Sequence, residues 1–500
     1  MPGPLSYTPT AWADGSAGNT PINSARLNNE EAGILASANA INALISNTKS
    51  GIYVPSNWGA NWRTKLAAAV GGTGLAKIGV RGDSISWGWF VSNPTTKSYA
   101  GLLQTSLQTL YGDGGSGFKG GHWSTQQWSS ISTPANAVSA WTTAGVPFTT
   151  TGTWATGTGQ GPGAIRMIST NPGDTISTSF RGTTVKFFTR VTNGTTSSWT
   201  YSIDGGGAVT VTDTSVSSTI AVAVTTVTGL SAGTHTVTIT KGSGAASLTF
   251  FGLEATNASG VVVCNYSAVG ATAGTYLTDP TNLPLQAGIW SGGSLNPADL
   301  LIYAFGANEC AATNAVATGI TLSSSAAVGA TTLSLSAYLP PGKYRIDNEN
   351  LYITATSGTT ATLAAAVTAA HSSAAAVNVM KESVDDWRRY VAQAFSDLRD
   401  GSGMSGAADL VILLPHIGQF DDFNVFHTIA KEARGLAEEY GAALVDMWSL
   451  GRNSWNYWNT SGYWGDGTLV SAGGSGASVI HPSDAGAQQY ANALLPILTS

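Results

Sequence analysis

Five short, mostly apolar runs limit what this chain can fold into. They are Lys77-Ile78-Gly79-Val80, Val261-Val262-Val263-Cys264, Leu300-Leu301-Ile302-Tyr303, Leu410-Val411-Ile412-Leu413-Leu414 and Ala443-Leu444-Val445-Asp446. Most lack the polar alternation of a strand that faces water on one side, so they read as strands buried on both faces. Helical patterns lie among them. Tyr99, Leu102, Leu103, Leu107 and Leu110 mark one helix, ended by Gly112-Asp113-Gly114-Gly115. Val384, Trp387, Val391, Ala394, Phe395 and Leu398 mark another, residues 423–440 a third, and Ser483 after Pro482 is an N-cap for the last. Strands that alternate with helices are joined in parallel, and a parallel sheet needs cover on both faces. The expected core is therefore α/β, a parallel sheet with helices on both faces.

Two stretches break this rhythm. Residues 126–254 are rich in Thr, Val and Gly and lack helical periodicity. The runs 185–188, 199–203 and 234–239 read as strands, and Asp204-Gly205 is a hairpin turn signal. Strands at this spacing suggest a β-sandwich. Residues 313–379 contain the strictly alternating Thr332-Leu333-Ser334-Leu335-Ser336, then a hairpin over Tyr344-Arg345-Ile346 and Leu351-Tyr352-Ile353-Thr354. This is a second, small β module. It leaves after Asn308, at the C-terminal end of a strand, so it is expected beside the ligand-binding edge of the sheet. The sandwich leaves from a helix-to-strand connection and is expected at the opposite edge. Residues 1–50 form a separate segment. Its helix, from about Asn23, places Leu27, Ile34, Ala38, Ile41 and Ile45 on one coiled-coil-like stripe. The expected organisation is 1–50 helical segment, 51–125 core, 126–254 sandwich, 255–312 core, 313–379 small module and 380–500 core.

The chemistry is concentrated in two places. Ser84 lies in Gly82-Asp83-Ser84-Ile85-Ser86-Trp87-Gly88, between a strand and a helical pattern. That position is the C-terminal edge of a strand, where open α/β sheets bind ligands. His481 lies in His481-Pro482-Ser483-Asp484. A serine hydroxyl becomes a useful nucleophile only when a base takes its proton, and an imidazole is suited to that role. With Val261-Val262-Val263-Cys264-Asn265-Tyr266-Ser267-Ala268-Val269-Gly270 and Leu300-Leu301-Ile302-Tyr303-Ala304-Phe305-Gly306-Ala307-Asn308-Glu309, these segments form four blocks in order. The chain thereby resembles the SGNH (GDSL-like) hydrolase family, over about 400 residues.

The resemblance implies a flavodoxin-like three-layer α/β fold for the core, with Ser84 as nucleophile and His481 as base. It implies an oxyanion hole of the Ser84 amide, the Gly270 amide and the Asn308 side chain. Glu309 stands where the family usually has Asp. A larger departure is Ser478, where the family usually has an Asp to orient the histidine. Three groups are open for that role: Asp466 in the same loop, a backbone carbonyl, and Asp446 at a predicted strand end. Asp466 also suits a plain turn in Gly465-Asp466-Gly467. Residues 126–254 resemble the jelly-roll, carbohydrate-binding-like modules of some esterases in this family. Residues 1–50 resemble the opening of minor tail proteins of phages that infect actinobacteria.

Sixteen tryptophans offer contact surfaces. Trp87 and Trp89 follow the nucleophile, and Trp458 and Trp464 lie in the loop before His481. Their rings suit sugars if exposed and fill core if not. His416, at a predicted strand end, either lines the cleft or is a satisfied structural residue. His122, His235, His371 and His427 stand in no recognisable constellation.

Composition narrows the partners. Charged residues are 10% of the chain and net charge is −6, so there is no basic footprint for nucleic acid. The cysteines, Cys264 and Cys310, form no disulfide framework and read as buried thiols. No Cys/His cluster has metal spacing, and no cofactor is implied. The opening Met1-Pro2-Gly3-Pro4 lacks the features of a secretion signal, and no run of about 18 apolar residues would span a membrane. A neutral polar surface without a signal fits a virion protein released by lysis. The reading is a phage tail-associated serine esterase that removes O-acetyl groups from a bacterial surface polysaccharide. Its partners are that polysaccharide and other tail proteins, and it is a homotrimer through 1–50. The alternatives are a catalytically degenerate receptor-binding tail protein and a lipase or thioesterase.

Overall fold

A computed structural model describes residues 51–120, 148–158, 165–191, 196–214, 221–244, 246–268, 270–274, 298–310, 315–339, 341–347, 349–380, 384–399, 408–416, 418, 423–465 and 480–500. The helical stripe expected in 1–50 lies outside the described residues.

The core is a parallel sheet. Its strands are β1 (Leu75–Gly82), β2 (Gly260–Asn265), β3 (Leu300–Ala304), β4 (Asp409–Leu414) and β5 (Ala443–Asp446). They lie in the order β2-β1-β3-β4-β5, all parallel, and Ile52–Tyr53 adds an antiparallel edge outside β5. This is the flavodoxin-like order, with its switch point beside β1.

Alternate residues of each strand serve opposite layers, which explains why the runs look continuously apolar. Leu301, Tyr303, Ile412 and Leu414 pack against α4 (Val384–Arg399) and α5 (Phe423–Tyr440) through Trp387, Phe395, Phe426 and Ile429. Leu300, Ile302, Val411 and Leu413 face α1 (Ala60–Val70), α3 (Tyr99–Tyr111) and α6 (Asp484–Leu498) through Trp62, Leu103, Leu107, Tyr490 and Leu494. The short α2 (Ser84–Trp87) starts where β1 stops.

The sandwich consists of two antiparallel sheets closed on Phe148, Trp154, Met167, Phe187, Trp199 and Phe250. It leaves the core at the expected N-terminal edge, where the Gly114 N–H meets the Val261 carbonyl at 3.1 Å. It does not stay there. Phe118, Phe188 and Phe251, on its outer face, join one buried cluster with Tyr266, Ala268, Ala271 and Ala273, the segment that follows β2. An apolar outer face must be covered, and the edge strand β2 offers the nearest cover. An ionic seam reinforces the contact. Lys77 Nζ lies 2.6 Å from Glu254 Oε1, the Tyr266 hydroxyl donates to Glu254 Oε2 at 2.7 Å, and all three residues are buried.

The small module has six strands over residues 315–380. Its core is its own, built on Leu322, Leu335, Tyr344, Ile346, Ile353 and Val377. Two histidines that stood in no sequence constellation turn out to be clamped. His371 sits between Asp347 and Glu349, with both ring nitrogens 2.8 Å from a carboxylate. His235 Nδ1 lies 2.6 Å from Asp204, on the hairpin turn. Cys264 and Cys310 are buried, and neither is in a disulfide.

Candidate active site

The site forms where β1 and β3 end side by side. Gly82 pairs with Ala304, and a Cβ at Gly82 would fall 2.8 Å from the Ala304 carbonyl oxygen and against Ser86, so the turn requires glycine. Asp83 Oδ1 accepts from the Ile85 N–H at 2.9 Å and caps α2, while Gly88, at φ +92°, closes it. Ser84 is thereby held as the first residue of one helical turn, at the C-terminal edge of the sheet.

His481 arrives from the other end of the chain. Its Nε2 lies 2.8 Å from Ser84 Oγ, across 397 residues of sequence. Its backbone is tied down: the Gly465 N–H donates to the His481 carbonyl at 2.8 Å, and the Ser483 N–H to the Tyr463 carbonyl at 2.8 Å. The Phe90 ring stacks on the imidazole, with centroids 5.4 Å apart and planes at 26°. Phe90 sits at φ +69°, an uncommon conformation for a bulky residue. Asp484 joins the two loops, accepting from the Ser92 N–H at 2.7 Å and from its hydroxyl at 2.6 Å.

Asn308 lies in the one-turn helix after β3, and its Nδ2 donates to the Ala271 carbonyl at 2.9 Å. Glu309, buried, accepts from the Ala273 N–H at 2.7 Å. These two residues tie the loop that carries Gly270 to the end of β3. Gly270 has φ +73°, and the direction its side chain would take is open space.

Three sequence expectations change. Trp458 and Trp464 are buried and pack around His416, so they present no ring face to a substrate. Trp458 turns inward onto Tyr490 of α6. Trp87 is also buried, whereas Trp89 is half-buried and Phe90 is 41% exposed. Asp446 is an N-cap, accepting from the N–H groups of Trp448 and Ser449 and from the Ser449 hydroxyl. Asp466 and Ser478 lie outside the described residues. His416 is the satisfied, buried residue of the two readings given above. The sequence marks Phe90 only as an aromatic that borders the site with Trp87 and Trp89, whereas Asp484 and Glu309 draw no role from it; Asp484, three residues after His481, carries the best local signal.

Asp83 is under electrostatic stress. Burial, and then the charge of Glu309, push its carboxyl up to about 7 against the pull of the Ile85 N–H. Folded chains therefore keep a proton that unfolded chains release. Between about pH 4 and pH 7, unfolding releases that proton, so stability falls as pH rises and levels off above the folded value. Over about three units this amounts to at most about 4 kcal/mol. Asp83→Asn keeps the cap acceptor and removes the charge. The variant is expected to gain stability over the wild type at pH 8 but little at pH 4, measured by paired melts at both pH values.

A family model described as carbohydrate esterase 2 N-terminal matches residues 164–262, within the sandwich and into β2. A solved structure of a peptidoglycan O-acetylesterase is similar in fold, with a TM-score of 0.51 and 15% identity, over 90% of this chain and 99% of that one. A carbohydrate esterase family 2 enzyme with its carbohydrate-binding domain, from Corynascus thermopiles (Myceliophthora fergusii), aligns over 66% of this chain and 94% of that one, at 12% identity and a TM-score of 0.22. No curated protein matches the chain.

Proposed function

We propose that this chain is a serine esterase that removes O-acetyl groups from a bacterial surface polysaccharide. One observation carries the reading: a serine hydroxyl and an imidazole 2.8 Å apart at the C-terminal edge of a parallel sheet. The carbohydrate esterase match to 164–262 and the peptidoglycan O-acetylesterase fold support a glycan ester as substrate.

Ser84 Oγ attacks the ester carbonyl while His481 Nε2 takes its proton. The alkoxide leaves with that proton, and the same imidazole then activates water against the acyl-enzyme. The negative oxygen of each tetrahedral intermediate is held by donors. Asn308 Nδ2 has two hydrogens and spends one on Ala271, so the second is free for the oxyanion. The Gly270 and Ser84 amides complete the set. Trp89 and Phe90 border the imidazole, with ring centroids 6.3 and 5.4 Å away. The virion tail setting and the homotrimer rest on residues 1–50 and composition alone.

The test is hydrolysis of p-nitrophenyl acetate against p-nitrophenyl palmitate, with acetate release from O-acetylated peptidoglycan. Acetate ester cleavage is expected, with palmitate poor. A preference for palmitate would make the chain a lipase. No hydrolysis, together with no fluorophosphonate label on Ser84, would make it the degenerate scaffold that Ser478 suggests.

A further inference from the structure

We propose that His416 is a positioning residue, fixing the Ile480–His481 peptide so that His481 reaches Ser84. The inference deepens the esterase reading and rests on it only for its kinetic test.

His416 follows the C-terminal end of β4 and is fully buried. Its ring is boxed by Trp458, Trp464 and Tyr490, with centroids 4.2, 4.8 and 5.8 Å away. Nε2 lies 2.5 Å from the Ile480 carbonyl oxygen. A carbonyl can only accept, so Nε2 carries the hydrogen. Nδ1 is then the acceptor, and the Tyr490 hydroxyl donates to it at 2.7 Å. The Tyr490 oxygen in turn accepts the His416 backbone N–H at 3.1 Å. The partners thus set one tautomer, and the aromatic walls keep water from competing for its bonds.

The consequence is geometric. The Ile480 carbonyl belongs to the peptide that enters His481. His416 binds it to the end of β4, and Gly465 binds the next carbonyl. Ser84 hangs from the end of β1, and β1 is bonded to β4 through β3. Nucleophile and base are therefore referred to one sheet. This grip fixes the entry of the imidazole from the backbone side.

Misplacing a catalytic group by about 1 Å can cost about 100-fold. His416→Phe keeps an aromatic ring, though a larger one, and removes both nitrogens. His416→Gln places an amide donor near the position of Nε2. His416→Phe is expected to lower kcat on p-nitrophenyl acetate by about 10- to 100-fold with KM within about two-fold, and His416→Gln to recover most of it. In a His481→Ala background, His416→Phe should add no further loss, because the two act as one unit. A residue that only stabilises the fold would leave kcat of the folded protein unchanged, or would add its full loss in that background. Either result overturns the proposal.

A second readout needs no activity. In protein labelled with ¹⁵N-histidine, the His481 ring resonances should shift in His416→Phe and return in His416→Gln. Unmoved His481 signals in a folded variant would also overturn it. If the wild type hydrolyses nothing, the esterase reading fails while these spectra still decide the role of His416. If His416→Phe does not fold, Tyr490→Phe serves, since it removes the hydroxyl that holds both Nδ1 and the backbone N–H of His416; it should disturb the same His481 signals, and unchanged signals overturn the proposal.

Discussion

Replacing Ser84 with alanine is expected to lower hydrolysis of p-nitrophenyl acetate by roughly 10⁴- to 10⁶-fold and to leave the melting temperature unchanged. The hydroxyl is the only atom removed. The α2 cap runs through Asp83 and the Ile85 N–H, which the substitution does not touch. Adding His481→Ala should cost little more, because a base without its nucleophile has no proton to take. Fluorophosphonate should label the wild type and not the variant. Activity or labelling that persists in Ser84→Ala would place the chemistry elsewhere in the molecule.

The largest stability effect is expected at the seam between core and sandwich. Glu254→Leu leaves the Lys77 ammonium buried without its carboxylate, and breaking a buried pair from one side costs about 3–5 kcal/mol. The Tyr266 hydroxyl also loses its acceptor. The double variant Lys77→Met with Glu254→Leu removes both charges and should recover most of the loss, since replacing a buried pair by apolar residues is often close to neutral. Denaturant unfolding followed by tryptophan fluorescence would measure both. If the single variant were as stable as the wild type, the seam would have to be hydrated rather than dry.

The parallel core was legible because each strand is buried on both faces. Leu300 and Leu301 point to opposite layers, yet both had to be apolar, so the run announced itself. Ser84 and His481 were legible because each sits in a short local pattern at a strand end or helix start. What escaped depends on which way a side chain turns. Phe187 and Phe188 are adjacent and equally apolar, but one fills the sandwich and the other covers β2. Nothing local separates them, so the docking of the sandwich could not be read. Trp458 and Trp464 failed for the same reason: loop aromatics look alike whether they face sugar or core. The clamps on His235 and His371 and the grip of His416 on Ile480 join partners 22 to 64 residues apart. Only the finished fold brings such partners together.

As building material, the two insertions are not equivalent. The small module closes on its own leucines and tyrosine, so its core owes nothing to the parallel sheet. The sandwich is welded rather than plugged in. Phe118, Phe188 and Phe251 stand as wall for the very loop whose far end carries Gly270. An engineer who swapped it for another β-sandwich would be replacing the cover over that loop, and would have to rebuild that wall residue by residue.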